Sequence, residues 1–291
     1  MTAENQVAMT RWRSALFTPA TSPDRAVKLP DLGCDLGIID LEDAVPESAK
    51  KDARAKARSA ATELTTRAPG FALFIRVNPV TSVHFEADLK DVLLPALAGI
   101  VLPKVDDAAL LDEVDSRLAA LWLGHLLVVA GIETGKGVLN ARNIASHPRV
   151  AAVYFGAEDL AADIGGERSR EGLEVLYARS KVALVASVAG IASFDGIVAD
   201  YDDDDRFRAE ATLARGLSYS GKLCIHPRQV PIANAAFTPS AEQVAYAHRV
   251  VDAYRAAEKQ GLGAITVDGS MIDEPMVRRA RAILTAAGAD A

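Results

Sequence analysis

Five apolar runs in this chain stop at residues that can do chemistry. They read IIDLEDAVPE, LFIRVNP, IVLPK, VVAGIETGKG and VYFGAEDL, and they set Asp40, Glu42, Asp43, Arg76, Lys104, Glu133 and Asp159 at or just beyond their hydrophobic stretches. Charges there must face an open mouth or find partners, because burying an isolated charge is too costly. Glu133 and Asp159 follow consecutive runs, which predicts two carboxylates at one point. Two such oxygen donors, with positions left for water and substrate oxygens, suit Mg2+, a hard octahedral cation. Taken singly, Glu133 could instead cap or pair near the helix around Gly137, and Asp159 could cap its own helix. Their joint occurrence after neighbouring strands favours metal ligation.

Arg76 offers a planar fork that matches a carboxylate, such as that of a small keto acid. Its alternative is an internal ion pair with Asp40 or Glu42, since barrel mouths also hold structural pairs. Asp40 and Glu42, two residues apart, share one strand face, while Asp43 begins the loop. Any of the three could accept a hydrogen bond from metal-bound water.

The elements that must position these residues alternate between short strands and amphipathic helices, the order expected of a parallel sheet covered by helices. Strands are expected near Ser14–Thr18, Gly37–Leu41, Leu73–Val77, Gly99–Leu102, Leu126–Gly131, Ala152–Phe155, Phe194–Val198 and Gly221–Ile225. Helical periodicity falls between them at Ala49–Leu64, Asp107–Leu121, Gly137–Ser146, Leu173–Ala189 and Arg206–Ser218. Eight βα units without a Gly-rich first turn favour an α/β fold of the TIM (β/α)8 type over a doubly wound open sheet. In that fold the active site lies at the C-terminal strand ends, where the charged residues fall. We expect a barrel domain over 13–238 and a C-terminal helical extension over 239–291, with helices at Ala241–Lys259 and Pro275–Ala287 around a Gly-rich stretch at Gly261–Ala264.

Composition narrows the partners. The 291 residues are 50% hydrophobic and 24% charged, a globular balance, and the net charge of -7 argues against a nucleic-acid surface. No apolar run approaches the roughly 20 residues of a membrane span. Residues 1–12 lack a secretory pattern, so a cytoplasmic protein is expected. Cys34 and Cys224 have neither metal-ligand spacing nor close neighbours, and read as core residues rather than a disulfide. Asp202–Asp205 reads as a solvated run favouring a helix start.

In order along the chain, RSALFTPA, IDLEDAVP, RVNP, LPK, IETGKGVLN, FGAEDLAADIG, KLCIHPRQV and GSMIDEP resemble the citrate lyase beta chain family, with its citramalyl-CoA and malyl-CoA lyase relatives in the HpcH/HpaI aldolase superfamily. The resemblance covers nearly everything after residue 12. It implies Glu133 and Asp159 as magnesium ligands, Arg76 as the keto-acid anchor, and Arg13 and Lys104 as contacts to the thioester carrier or its phosphates. Asp273, in GSMIDEP, is similar to the acid/base brought over a neighbouring subunit's barrel, although a helix N-cap would also account for it. The implied enzyme is a Mg2+-dependent carbon–carbon lyase and homo-oligomer, a trimer or hexamer. It would interconvert a 3-hydroxyacyl-CoA with acetyl-CoA and pyruvate, glyoxylate or oxaloacetate. A citrate lyase beta subunit working on a carrier-bound citryl thioester is the alternative, and a non-catalytic CoA-ester-binding barrel the alternative from another class.

Overall fold

Branched and aromatic side chains fill eight short segments, and in the computed structural model, which describes residues 12–289, these become the strands of one sheet. The stretch 1–12, read above for a leader, lies outside the described residues except for Trp12. The strands are β1 (Ser14–Pro19), β2 (Leu36–Asp40), β3 (Ala72–Arg76), β4 (Gly99–Leu102), β5 (Leu127–Ile132), β6 (Val150–Phe155), β7 (Ala192–Asp195) and β8 (Gly221–Cys224). They form a closed barrel in sequence order, with β1 pairing β8 in parallel. Closure removes the open edges that an eight-stranded sheet would otherwise expose.

Helices follow the strands, including Lys50–Arg67, Ala108–Ala120, Gly135–Ala145, Ala157–Ile164, Leu176–Ala189 and Asp204–Gly216. Their starts follow local chemistry. Asp107 accepts from the Ala109 amide, Thr134 from Gly137 and Asp203 from Arg206, so each supplies an acceptor to an orphan amide. The aspartate run therefore serves a helix start, with Asp202 and Asp204 paired to Arg228.

Strand residues alternate between the barrel interior and the helix layer. The interior holds Ile38, Phe74, Val101, Val129, Tyr154, Phe194 and Leu223. Trp12, just before β1, packs edge-on to Phe74 at 5.7 Å and stacks on Phe194 at 6.4 Å. Cys34 and Cys224 are free and buried, as their apolar surroundings suggested.

Two elements differ from expectation. The run Phe194–Val198 leaves the sheet after Asp195, and Ile197 lines a cavity at the strand ends, so its hydrophobicity reflects a cavity wall rather than strand pairing. Near the C-terminus, the stretch expected to join two helices holds a hairpin of β9 (Ile265–Val267) and β10 (Ser270–Ile272). Asp268 and Gly269 turn it at φ 49° and 79°, the left-handed pair that an Asp-Gly sequence favours.

The chain divides into two compact units between Asn234 and Ala235. In the second, the helix Ala241–Glu258 begins with a Ser240–Gln243 capping box, and Val250, Val251, Val267, Ile272, Val277 and Leu284 join helices and hairpin in one core. None of the described helices is long and apolar enough to cross a membrane.

The close approach of β4 to β5 gives a test of the barrel. A Cβ on Gly99 would lie 2.2 Å from the Leu127 carbonyl oxygen and 2.5 Å from the Phe74 ring. Gly99→Ala should cost about 3 kcal/mol, the upper end of overpacking penalties, seen as a lower urea midpoint with an unchanged slope. An unaltered midpoint would show that these strands can separate freely.

Candidate active site

The site begins with β2, whose last residue, Asp40, holds the loop that follows. Its carboxylate accepts from the Glu42 amide at 2.9 Å and the Ala44 amide at 3.2 Å. The same two oxygens take the fork of Arg76 at the end of β3, with Nε donating to Oδ1 at 2.7 Å and Nη2 to Oδ2 at 2.6 Å. The ring of Phe17 lies 4.8 Å from the guanidinium carbon. Burial opposes the charge on Arg76, but Asp40 outweighs it and holds its pKa well above the ordinary guanidinium value. Thus the internal ion pair forms, and the remaining Nη1 edge faces Glu42 Oε2 at 3.0 Å, with Asp43 at 3.9 Å.

Glu42 is nearly enclosed. Its Oε1 accepts from Lys104 Nζ at 2.8 Å. Its Oε2 contacts Arg76 as a charge, but not in hydrogen-bonding geometry, and so is buried without a donor. Burial pushes Glu42 up to about 7, with Arg76 opposing the shift and Glu133 adding to it.

Lys104 follows β4 with a positive φ of 51°, a conformation uncommon for a side-chain-bearing residue. That turn has a direct consequence, because the Lys104 amide donates to Glu133 Oε1 at 2.7 Å while its Nζ reaches both Glu42 and Asp159 Oδ1, the latter at 3.1 Å. Burial opposes the ammonium charge, but the bond to Glu42 raises the Lys104 pKa above the ordinary range.

Glu133 lies just past β5 and is buried. It is not the helix cap, a place taken by Thr134. Tyr154, inside the barrel from β6, donates to the same Oε1 at 2.9 Å, which leaves Oε2 beside Gly156. A Cβ on Gly156 would come within 2.4 Å of that oxygen, so glycine there makes room for the carboxylate. Burial raises the Glu133 pKa, and the nearby Asp159 raises it further. Asp159 stands in the first turn of the helix Ala157–Ile164, whose N-cap is Gly156, and its side chain is 37% exposed.

Asp40, Asp43, Arg76, Glu133, Tyr154 and Asp159, but not Glu42 or Lys104, line a cavity of about 350 Å3, walled on its apolar side by Phe17, Phe155, Ile197, Leu223 and Ile225. Four carboxylates, Asp40, Glu42, Glu133 and Asp159, meet two cations, Arg76 and Lys104, a formal balance of -2. Asp43 is 60% exposed and stands 3.9 Å from Arg76 Nη1. Hard oxygen donors with this balance are of the kind that suit a divalent cation such as Mg2+, and Glu133 Oε2 and Asp159 are the candidates to hold one. Among the described residues no group of three or more His, Cys, Asp or Glu could hold a metal ion.

One expected site residue lies elsewhere in the barrel unit. Arg13 precedes β1, at the N-terminal end of the strands, and its guanidinium pairs with Asp35 at 2.8 and 2.9 Å. It cannot meet a carrier at the opposite mouth. Asp273 caps the helix Glu274–Ala287 in the second unit, its side chain accepting from the Met276 amide. Lys104 turns inward to Glu42 and Asp159 rather than out to a carrier.

Other residues escaped the sequence reading. Tyr154 is one, because a tyrosine in a strand reads as core. Lys50 is another: buried, it donates to the Leu41 and Glu42 carbonyls at 2.7 and 2.8 Å and to Asn78 Oδ1 at 2.7 Å. Asn78 is in turn held by Asp88 at 2.6 Å. A third group lies behind the site, where Asp195 pairs with Arg179 and Lys222. Lys222 packs toward Phe207 in the helix layer, so it is a structural cation.

Fold and site together define a (β/α)8-barrel enzyme with an acidic, cation-suited mouth. The chain belongs to the HpcH/HpaI aldolase/citrate lyase family, whose model matches residues 13–227. It is 47% identical to a citrate lyase subunit beta-like protein of Deinococcus radiodurans, over 94% of this chain and 96% of that one. It is 34% identical to a (3S)-malyl-CoA thioesterase of Cereibacter sphaeroides, over 96% and 95%. Among solved structures it resembles CitE of Mycobacterium tuberculosis in complex with magnesium, acetoacetate and coenzyme A, with a TM-score of 0.78, 30% identity, and coverage of 94% and 97%.

The support under Glu42 is open to test. Lys50→Met keeps the stem but leaves Asn78 Oδ1 without its donor and the Leu41 and Glu42 carbonyls with only the Asn78 side-chain amide and the Val45 amide, which should cost about 1–3 kcal/mol. Amide exchange over 41–45 should quicken in the same variant. Unchanged protection there would show that the loop is held by Asp40 alone.

Proposed function

We propose that the protein is a Mg2+-dependent carbon–carbon lyase that cleaves a 3-hydroxyacyl-CoA, such as citramalyl-CoA or malyl-CoA, to acetyl-CoA and a 2-keto acid, or runs the reverse condensation. The observation that carries this reading is the convergence of Glu133 and Asp159 on a cavity that also receives Arg76. Held by Glu133 and Asp159, the ion would supply Lewis acidity toward the hydroxyl and carboxylate oxygens of the substrate's 2-hydroxy-acid end.

The chain's own groups do the rest. Fixed by Asp40 on one edge and Phe17 on its face, Arg76 turns its Nη1 edge to the cavity, where it binds the substrate carboxylate and the negative charge that builds on the neighbouring oxygen. Lys104 Nζ bridges Glu42 and Asp159 beside the cavity. As the hydroxyl gives up its proton to water in the cavity, the oxygen's electron pair forms the carbonyl of the 2-keto acid, the carbon–carbon bond breaks, and its electrons pass to the carbon next to the thioester carbonyl. That carbon needs a proton, which Asp273 would donate from a neighbouring subunit, as the family pattern implies. In condensation Asp273 would remove the same proton.

A second reading, the citryl-thioester lyase subunit of a citrate lyase complex, is favoured by 31% identity to the citrate lyase subunit beta of Leuconostoc mesenteroides, over 96% of this chain and 94% of that one. Turnover of carrier-bound citryl thioester, but not of CoA esters, would select it.

Magnesium titration followed by calorimetry tests the ligand pair. Glu133→Ala and Asp159→Ala should each weaken Mg2+ binding by at least about tenfold, equivalent to about 1.4 kcal/mol, and turnover should fall with affinity while the fold persists by circular dichroism. Full turnover in excess chelator would sink the proposal, and binding of CoA esters without any turnover would revive the non-catalytic reading.

Asp273 requires a different experiment. Mixing Asp273→Asn protein with Glu133→Ala protein, each inactive alone, should restore partial activity once subunits exchange, because some pairs would unite an intact acid with an intact ligand pair. If exchange is confirmed by mass spectrometry and activity stays at background, Asp273 is a helix cap and no more.

A further inference from the structure

One helix of the barrel layer has no face suited to water. Leu176–Ala189 reads LYARSKVALVASVA, with no acidic residue and only two cations. Arg179 is buried against Asp195 and Glu210, and Lys181 gives its ammonium to the Leu139 carbonyl at 3.1 Å. The inward side, with Ala178, Val182, Ala183 and Ala186, packs on β6 and β7. The outward side is apolar as well, and a helix apolar all round belongs to an interior. The helix Lys50–Arg67 shows the contrast, since it presents Lys51, Asp52, Lys56, Arg58 and Glu63 to solvent.

Leu173, in the turn that leads into the helix, and Tyr177, Leu184 and Val188 are 62 to 77% exposed. Exposed Leu139 stands beside them on the helix Gly135–Ala145. Residues 173, 177, 184 and 188 fall on one line along the helix. Their spacing of four, seven and four is the same from either end, and its midpoint lies between Ser180 and Lys181. At roughly 100 Å2 of apolar area each, these side chains together offer about 500 Å2, more than half of the about 800 Å2 that one partner brings to a stable interface. Ser180, Val185 and Ser187 flank the line and extend it without charge.

We infer that this helix docks antiparallel on the same helix of a second copy of the chain, about a two-fold axis at that midpoint. Leu173 of each copy then faces Val188 of the other, and Tyr177 faces Leu184, so one patch forms both halves of the contact. Lys181, drawn aside by the Leu139 carbonyl, keeps its charge off the axis. A two-fold contact closes on itself, and so gives a dimer from single chains or a hexamer from rings of three. It stands apart from the lyase reading, since none of these residues lines the acidic cavity.

Light scattering on the full chain tests the contact. Leu184→Glu sets carboxylates into its apolar centre and should halve the wild-type mass. Leu213→Glu, at an exposed leucine on the helix Asp204–Gly216, should leave the mass unchanged. Both variants should keep the wild-type circular dichroism, because both leucines are exposed. A monomeric wild type, or a Leu184→Glu mass equal to the wild type's, overturns the inference, and a fall to one third overturns the two-fold in favour of a ring. Ser180→Cys gives an independent reading. Helices packed about 8–10 Å apart bring the two Ser180 positions within disulfide reach. Oxidation in air with copper–phenanthroline should therefore yield a covalent dimer from this variant and none from the wild type, whose Cys34 and Cys224 are buried. Absence of that dimer overturns the antiparallel arrangement.

Discussion

Charge held out of water is the constraint on which the rest of this structure depends. Asp40, Glu42 and Glu133 are all buried at one end of the barrel, where burial and neighbouring carboxylates disfavour the ionisation of Glu42 and Glu133. Such a cluster persists as carboxylates only if cations and hydrogen-bond donors meet it, since breaking any one partner leaves an uncompensated buried charge. Arg76 and Lys104 supply two positive charges, and backbone amides from residues 42, 44 and 104 supply donors. A divalent cation would complete the balance. Burial is the main cause of the raised pKa values of Glu42 and Glu133, and neighbouring carboxylates add to it.

This constraint also sets backbone conformation. Lys104 adopts a left-handed φ because only then do its amide and its ammonium serve carboxylates from different strands. Gly156 lacks a side chain because Glu133 Oε2 occupies the space. Lys50 reaches from its helix to the carbonyls of Leu41 and Glu42, so the loop that presents Glu42 is fixed by a cation that never enters the cavity. The pairing of β5 with β6 shifts register between Val128 and Val129, which adjusts the two strands that lead to Glu133 and to the Asp159 helix.

Much of this was visible in the residues. Hydrophobic periodicity located all eight barrel strands, because each is a short branched run bounded by polar turns, and the charges at their ends marked the mouth. Asp40 and Arg76 were recognisable as a possible pair, but spacing cannot say whether a guanidinium meets a substrate or a neighbour; that depends on Asp40 having both oxygens free to face it. Arg13 was misplaced because a motif gives order along the chain and not which end of a strand a residue occupies. The hairpin at Asp268–Gly269 had a turn signal, but strands of three residues are too short for alternation to show. Lys50 and Tyr154 were silent, since one reads as helix surface and the other as core.

The apolar wall bears on which keto acid the site would favour. Phe17, Phe155, Ile197, Leu223 and Ile225 face the carboxylates across the cavity, and a wall of this kind separates substrates by their alkyl groups. One methyl group in such a pocket is worth about 1–3 kcal/mol, or roughly 10–200-fold. Pyruvate and glyoxylate differ by that methyl, so the wall can rank them but cannot strictly exclude one. Oxaloacetate adds a second carboxylate, which would need a cation where the wall offers none. Of the two positive charges in the mouth, Lys104 is already shared between Glu42 and Asp159. On the proposed reading, a dicarboxylate fragment would thus meet the same scarcity of positive charge that governs the site itself.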